Sequence, residues 1–337
     1  MIDEKIAKLE DFLKDKRCIL AFSGGSDSSL IAYILSKVSP ESLLVTIDNH
    51  MMPSEFIDYT RQKAKEYNLK HEVVDVNFLE DPKFIANDKS RCFECRKLMY
   101  SKIKQIPQYN DYDYLLEGTN ITDLFEDRPG VVVNDIHQMV SPLIECDITK
   151  DDVFEIINHL GLTYSTNTTC LSTRIKTDQE VSHEKLTKVD VAEKYMHTLI
   201  NQENIRLRID GNTATIVVDE PLEILDKNLI EKLTHKLQAL GYEKIQLDIT
   251  GYKKTKVVPQ NDGQNNTYQL PYEINMDETY KNMKKSSENS IKCENYIKYN
   301  DILIYQNGKI IIPQKYDFSS KINKIIKLLK RKSVEYI

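Results

Sequence analysis

No stretch of this chain is apolar for anything near the ~20 residues that span a bilayer, which excludes a helical membrane protein. Positive charge is not in excess either. The formal net charge of −6 argues against a surface built to be coated with nucleic acid. Internal repeats of solenoid length are absent. Cysteine is sparse, with six in 337 residues. That is no disulfide framework, so a close cysteine spacing points to metal binding or redox chemistry. Tryptophan is missing altogether, and no function follows from that. The opening MIDEKIAKLEDFLKDK is an amphipathic mixture of acidic and basic residues, not a secretory signal, so a cytoplasmic protein is expected. The length allows two domains, and an apolar content of 40% allows a sizeable core.

What stands out is the stretch Arg17–Lys37. Cys18-Ile19-Leu20-Ala21-Phe22 is a short bounded apolar run, the pattern of a strand buried in a parallel sheet. Ser23-Gly24-Gly25-Ser26-Asp27-Ser28-Ser29 follows. Leu30, Ile31, Tyr33, Ile34 and Leu35 then recur at helical spacing. The pattern is strand, glycine turn, helix. Two adjacent glycines let the backbone approach an anion, and the amides and dipole of the new helix favour its charge. Ser23, Ser28 and Ser29 add hydroxyl donors. Asp27 either caps the helix or helps to hold Mg2+ on a polyphosphate. The alternative is an ordinary glycine turn with serine caps.

This SGGxDS turn resembles the loop of the PP-loop ATP pyrophosphatases. The resemblance implies that ATP is cleaved between its α and β phosphates, that a substrate is adenylylated, and that a nitrogen or sulfur nucleophile follows. It implies ATP and Mg2+ as cofactors, with contacts from residues 23–29.

The remaining pattern fits an α/β doubly wound parallel sheet. Residues 2–15 place Ile6, Leu9, Phe12 and Leu13 on one helical face. Residues 42–47 are a second strand, and Thr46 and Asp48 at its end are nucleotide contacts if ligands sit off the strands' carboxyl ends. A helix over 54–68 and a strand over 71–76 come next. A fourth strand, 114–117, runs into Gly118 and Thr119, further candidate contacts. Residues 1–175 form this first domain. A helix over 182–200, strands at 205–210, 213–218 and 244–249 and a helix over 222–240 make a small α+β domain, 176–257. Residues 258–295 are Asn-, Lys-, Gln- and Ser-rich and read as a polar linker. A hairpin with an Asn-Gly turn over 301–312 and a basic amphipathic helix from Ile322 to Leu329 occupy 296–337.

Between the third and fourth strands lies Ser90-Arg91-Cys92-Phe93-Glu94-Cys95-Arg96-Lys97, opening a helix. Thr168-Thr169-Cys170-Leu171-Ser172-Thr173-Arg174 lies further on. Helix N-termini and nearby cations favour thiolates, and Arg91, Arg96, Lys97 and Arg174 flank these cysteines. RCFECRK, EGTNITD, Asp127-Arg128-Pro129-Gly130, Val140-Ser141-Pro142-Leu143 and CLSTRI occur in this order in one PP-loop family. It is the LarE family, the ATP-dependent sulfur transferases, or sulfur insertases, of nickel-pincer nucleotide synthesis. Ile205–Asp210 is similar to that family's RVRxH strand and Leu247–Tyr252 to its closing strand, so the resemblance covers roughly residues 1–253. Two features depart from it. Ile175-Lys176-Thr177-Asp178 replaces a Phe-Pro-Tyr-Gly turn, and Glu117 stands where the family has Asp.

The resemblance implies a carboxylate substrate that carries a phosphate, a sulfide or other sulfur donor, and a thiocarboxylate product. It makes Asp27 and Cys170 catalytic. It also makes Cys92, Cys95 and Cys170 ligands of a 4Fe–4S cluster, leaving one iron open. The cysteines alone leave other readings open: a sacrificial or persulfide-bearing Cys170, a zinc site with His50, His71, His137 or His183 as fourth ligand, or a purely structural pair. Arg206 and Arg208 alternate on one strand face and could fork onto one phosphate or simply face solvent. The resemblance implies the former, with Arg174, Asp127 and Arg128 as weaker candidates for the same pocket. A homo-oligomer without nucleic acid or membrane partners is expected. A cluster-dependent tRNA thiolase is the competing enzyme, disfavoured by the acidic charge and the lack of further CxxC pairs. A nucleotide-binding scaffold is the competing non-enzyme.

Overall fold

The computed structural model describes residues 2–128, 132–166, 168–252, 256–286 and 289–332. Pro129 and Gly130 of the Asp127–Gly130 motif, and Lys253 at the end of the resemblance, lie outside them. The first domain holds a parallel sheet of β1 (Cys18–Ala21), β2 (Leu43–Asp48), β3 (Lys70–Asp75) and β4 (Tyr114–Leu116), in the order β3-β2-β1-β4. Its two faces bury alternate residues, as a pleat requires. Cys18 and Leu20 join a core with the helices Ile2–Leu13, Ser26–Val38 and Lys150–Leu160. Ile19, Leu43, Val45 and Ile47 join another with Tyr100 and Ile103 of the helix Arg91–Ile103. Helices on both faces make this the α/β doubly wound sheet that the pattern predicts. No helix among the described residues is long and apolar enough to cross a membrane.

A three-stranded sheet follows, β5 (Ile205–Asp210), β6 (Thr213–Val218) and β7 (Lys244–Leu247). β5 and β6 are antiparallel, β6 and β7 parallel. The helices His183–Leu199 and Lys227–Ala239 pack on it. Its core extends to Met51, Phe78, Phe84, Leu171 and Ile175, so it is seated on the loops at the carboxyl end of the first sheet.

The third sheet differs from expectation. Strands β8 (Gln260–Asn261), β9 (Asn265–Gln269), β10 (Ser290–Lys292), β11 (Tyr296–Tyr299), β12 (Ile302–Tyr305) and β13 (Lys309–Pro313) form one antiparallel sheet in the order β10-β11-β12-β13-β9-β8. Residues 258–295 are thus largely strand and helix, where a polar linker was expected. The segment has few apolar anchors, but Tyr268, Leu270, Ile274 and Met283 are all buried. They lean on the strongly apolar hairpin β12–β13, whose Asn307-Gly308 turn places Gly308 at φ 85°. A low local average conceals a segment that borrows its core from a later one. The basic helix spans Phe318–Ile326 and docks through Ile322, Ile325 and Ile326.

Ile310 is fully buried and paired with both Ile304 and Tyr268. Ile310→Ala should cost about 2–5 kcal/mol of the third sheet's stability, read as lost hydrogen-exchange protection in β9, β12 and β13.

Candidate active site

β1 leads directly into the glycine turn. Gly24 takes the left-handed conformation at φ 70°, and a Cβ there would stand 2.9 Å from the Tyr59 ring. A Cβ on Gly25 would stand 2.8 Å from the Thr168 hydroxyl. Only glycine fits either place. Gly25 precedes the helix Ser26–Val38 in an extended conformation, and no side chain caps that helix. Its first amides therefore lack a protein partner and face the cavity, ready for an anion. The Ser23 and Ser28 hydroxyls lie 3.1 Å apart, and Ser28 donates to the Gly25 carbonyl at 3.2 Å.

Asp27 is the hub of this end. Its carboxylate pairs with the Lys150 ammonium and accepts from the Asn120 amide at 2.9 Å. Lys150 also donates to the Ser26 hydroxyl at 2.8 Å. Gly118 lets β4 pass close by: a Cβ there would lie 3.3 Å from that of Asp27. Asp123 stands beside this group, accepting from the Asn120 backbone amide at 3.0 Å and pairing with Arg128 at 2.9 Å. Burial pushes its carboxyl up and the Asp27 charge adds to that. Arg128 opposes both, and the group titrates at about 6. Glu117, buried at the end of β4, accepts from the Thr119 and Ser141 hydroxyls.

The three candidate cysteines open onto the same cavity of about 550 Å³. Cys92 and Cys95 lie in the first turns of the helix Arg91–Ile103. Cys170 opens a 3₁₀ turn, its sulfur 2.8 Å from the Ser172 hydroxyl. Two side chains join these segments. Buried Asn87, held at φ 57°, donates to the carbonyls of Lys176 and Gln179 at 3.0 and 2.9 Å. Arg91 donates to the Ser172 carbonyl at 3.1 Å and approaches the Cys92 sulfur at 3.5 Å. Burial pushes the Cys95 thiol up, and the charges of Cys170 and Cys92 push it further. Three cysteine sulfurs in one wall, with Arg91 and Arg96 lining it beside them, are the donor type that an iron–sulfur cluster takes. A zinc site has less support. Among the described residues, no histidine lines the cavity. His71 instead contacts the Thr46 hydroxyl at 2.9 Å, and burial lowers its pKa to about 4.

Ser23, Gly25, Ser26, Asp27, Ser28, Gly118, Thr119, Arg128, Arg206 and the three cysteines all line this cavity. Gly24, Ser29, Thr46, Asp48, Asp127, Arg174 and Arg208 do not. Ser29 is fully buried. The Thr46 hydroxyl is buried too and donates to the Phe22 carbonyl at 2.8 Å. Asp48 accepts from the His50 amide at 3.1 Å, and His50 reaches Asp75 at 3.0 Å, so these three cluster at the ends of β2 and β3. Asp127 pairs with Arg331 at 2.6 Å. Arg174 is sealed in an ion pair with Glu193, at 2.8 and 3.2 Å. The arginine pair is split. Arg206 is buried and donates to the carbonyls of Ile205 and Thr166, while Arg208 is exposed. Strand alternation puts both on one face, but only the start of that face is covered by the first domain.

Sequence reasoning missed Lys150, Asn120, Asp123 and Asn87 as site residues. Asn120 and Asp123 sit inside EGTNITD and were within reach. Lys150 has no local signal; a capping box of Thr149 and Asp152 starts its helix and delivers it to Asp27. Arg96 was noted only as a cation near a thiol. It lines the cavity, and its Nη1 is closed from solvent without a hydrogen-bond partner.

No family model matches the chain. It is 30% identical over 255 residues to the uncharacterised protein MJ0830 of Methanocaldococcus jannaschii, covering 74% of this chain and 98% of that one. It is 27% identical over 260 residues to the pyridinium-3,5-bisthiocarboxylic acid mononucleotide synthase of Lactiplantibacillus plantarum, 75% and 93% of the two chains. Over 188 residues it is 28% identical to the glutamine-hydrolysing GMP synthase of Prochlorococcus marinus, 48% and 35% of the two. With its parallel sheet and glycine loop, the chain is a PP-loop enzyme of the ATP pyrophosphatase type. Within that class it belongs to the family of the Methanocaldococcus protein.

Arg174 and Glu193 give a test that separates architecture from binding. Arg174→Met leaves a buried carboxylate without its cation and should cost about 3–5 kcal/mol of stability. ATP affinity, measured by calorimetry on the folded variant, should stay as in the wild type.

Proposed function

We propose that this protein is an ATP-dependent sulfur transferase of the LarE type, converting a carboxylate on a phosphate-bearing small molecule into a thiocarboxylate. The observation that carries this reading is that three cysteines and an uncapped glycine-loop helix open onto one cavity. The named activity of the Lactiplantibacillus relative supports it.

The loop amides of residues 25–28 take the phosphates that leave as pyrophosphate. Lys150 offsets the Asp27 charge, so the carboxylate does not repel the nucleotide. Asp27 and Asp123 together offer Mg2+ its oxygen ligands. Arg206 receives the substrate's phosphate. Arg96, with a buried nitrogen unpartnered, faces the carboxylate to be activated. A carboxylate oxygen attacks the α-phosphorus, the bond to the β-phosphate oxygen breaks, and pyrophosphate leaves. The acyl-adenylate is then open to sulfide, with AMP departing. Cys92, Cys95 and Cys170 would hold the 4Fe–4S cluster, which supplies an iron site for hydrosulfide. Arg91 and Asn87 keep the two cysteine segments in register. A cytoplasmic homo-oligomer acting without nucleic acid is part of this proposal.

Gly25→Val places side-chain atoms against Thr168 and into the anion seat, so ATP–pyrophosphate exchange should fall by at least about 100-fold. Normal exchange would sink the loop assignment.

The anaerobically reconstituted protein should turn over repeatedly with sulfide, and the Cys170 peptide should keep its full mass. A sacrificial cysteine would instead give one turnover per chain and a loss of about 34 Da as dehydroalanine forms. Mass spectrometry after limiting turnover distinguishes them.

A further inference from the structure

The segment Ile121–Arg128 has two sides. Asp123 and Arg128 line the cavity. Ile121 and Phe125, both buried, point away into the core of the third sheet. Phe125 meets Tyr268 edge-on, ring centroids 5.5 Å apart at 85°. The Tyr272 hydroxyl donates to the Leu124 carbonyl at 2.6 Å. Arg331 pairs with Asp127 at 2.6 Å, and its guanidinium lies 5.0 Å from the Tyr272 ring centroid. A second grip falls on the turn before Lys150, where Lys327 pairs with Asp147 at 2.8 Å. The two gripped segments are themselves joined: the Lys150 amide donates to the Thr122 hydroxyl at 3.0 Å.

We propose that the third sheet is a clamp on the catalytic wall, and that Tyr272 and Arg331 are positioning residues for Asp123 and Arg128. This rests on the ATP-dependent reaction proposed above. Three physical points carry it. A short 3₁₀ turn with its ends in loops holds geometry poorly by itself, whereas a catalytic constellation tolerates errors of only about 0.5 Å. The third sheet and the segments packed beside it touch this turn through backbone, ring and charge at once, fixing position, tilt and register. And the contacts come from three separate points of the chain, Tyr268, Tyr272 and Arg331. Here the wall has been given an external support, which couples nucleotide chemistry to whatever loads or loosens residues 257–332.

The test uses the full chain with Tyr272→Phe, which removes one oxygen, Arg331→Met, and Arg331→Lys as the conservative rescue. Hydrogen exchange over Ile121–Arg128 reads the clamp without reference to any reaction. Protection should fall there in Tyr272→Phe and Arg331→Met, stay unchanged over residues 23–38, and return in Arg331→Lys. In ATP–pyrophosphate exchange, kcat per folded molecule should drop about tenfold in the first two variants while KM for the acceptor stays put, the folded fraction being fixed by circular dichroism because unfolded enzyme alone would lower apparent kcat in the same way. Unchanged protection overturns the clamp. Lowered protection with wild-type exchange kinetics overturns the positioning role. A wild-type protein that exchanges no pyrophosphate refutes the proposed reaction instead, and hydrogen exchange then decides the clamp alone.

Discussion

The cavity depends on a charge pair at the head of one helix. A carboxylate in the first turn suits the helix dipole, but an unpaired one would repel the phosphates that the same amides attract. Lys150 resolves the conflict by pairing with Asp27 while also bonding Ser26. Asn120 takes the second carboxylate oxygen. One side chain thereby gathers the turn after β1, the loop after β4 and the start of the helix Lys150–Leu160. The anion seat keeps its positive character because Lys150 offsets the charge of its acid.

The opposite wall solves a second electrostatic problem. Cys95 is half-buried and lies near two other cysteines, and charge on either of them raises the cost of ionising it. Arg91 and Arg96 lie on the same side and work against that cost. The cysteine segments are distant in sequence, and what brings them together is polar: an asparagine in the left-handed region, bonded to carbonyls beyond Cys170, and an arginine bonded to Ser172. The glycine loop and the three cysteines thus share one chamber, which Arg206 of the three-stranded sheet also lines.

Much of this was legible in the sequence. The four strands of the parallel sheet and the glycine turn follow from short-range pattern, because each is specified by neighbours within a few residues; the grouping of Cys170 with Cys92 and Cys95 was implied only by the family resemblance. The failures have a common cause. Thr46 and Asp48 stand at the end of a strand pointing at the ligand side, yet their polar atoms are taken by Phe22, His71 and His50. Arg174 looks like an anion binder until Glu193, on another helix, is seen to own it. Arg208 shares a face with Arg206 but lies beyond the cover of the first domain. Lys150 carries no mark at all. Asp48 aside, whose partner His50 is two residues away, long-range partners decide every case. The third sheet fails for the same reason: residues 258–295 look too polar to fold until the hairpin after them supplies the missing surface.

The Tyr272–Leu124 contact joins residues 148 positions apart, and the Arg331–Asp127 pair spans 204. During synthesis, the turn carrying Asp123 therefore leaves the ribosome long before the residues that cover its apolar side. Ile121 and Phe125 stay uncovered while more than a hundred further residues are made, an interval in which a partly built domain is prone to association. The parallel sheet and its glycine loop are made first, but the wall beside them is closed only once Arg331 has been made. A ribosome that stops short would release a protein with every PP-loop residue and an open seam beside them.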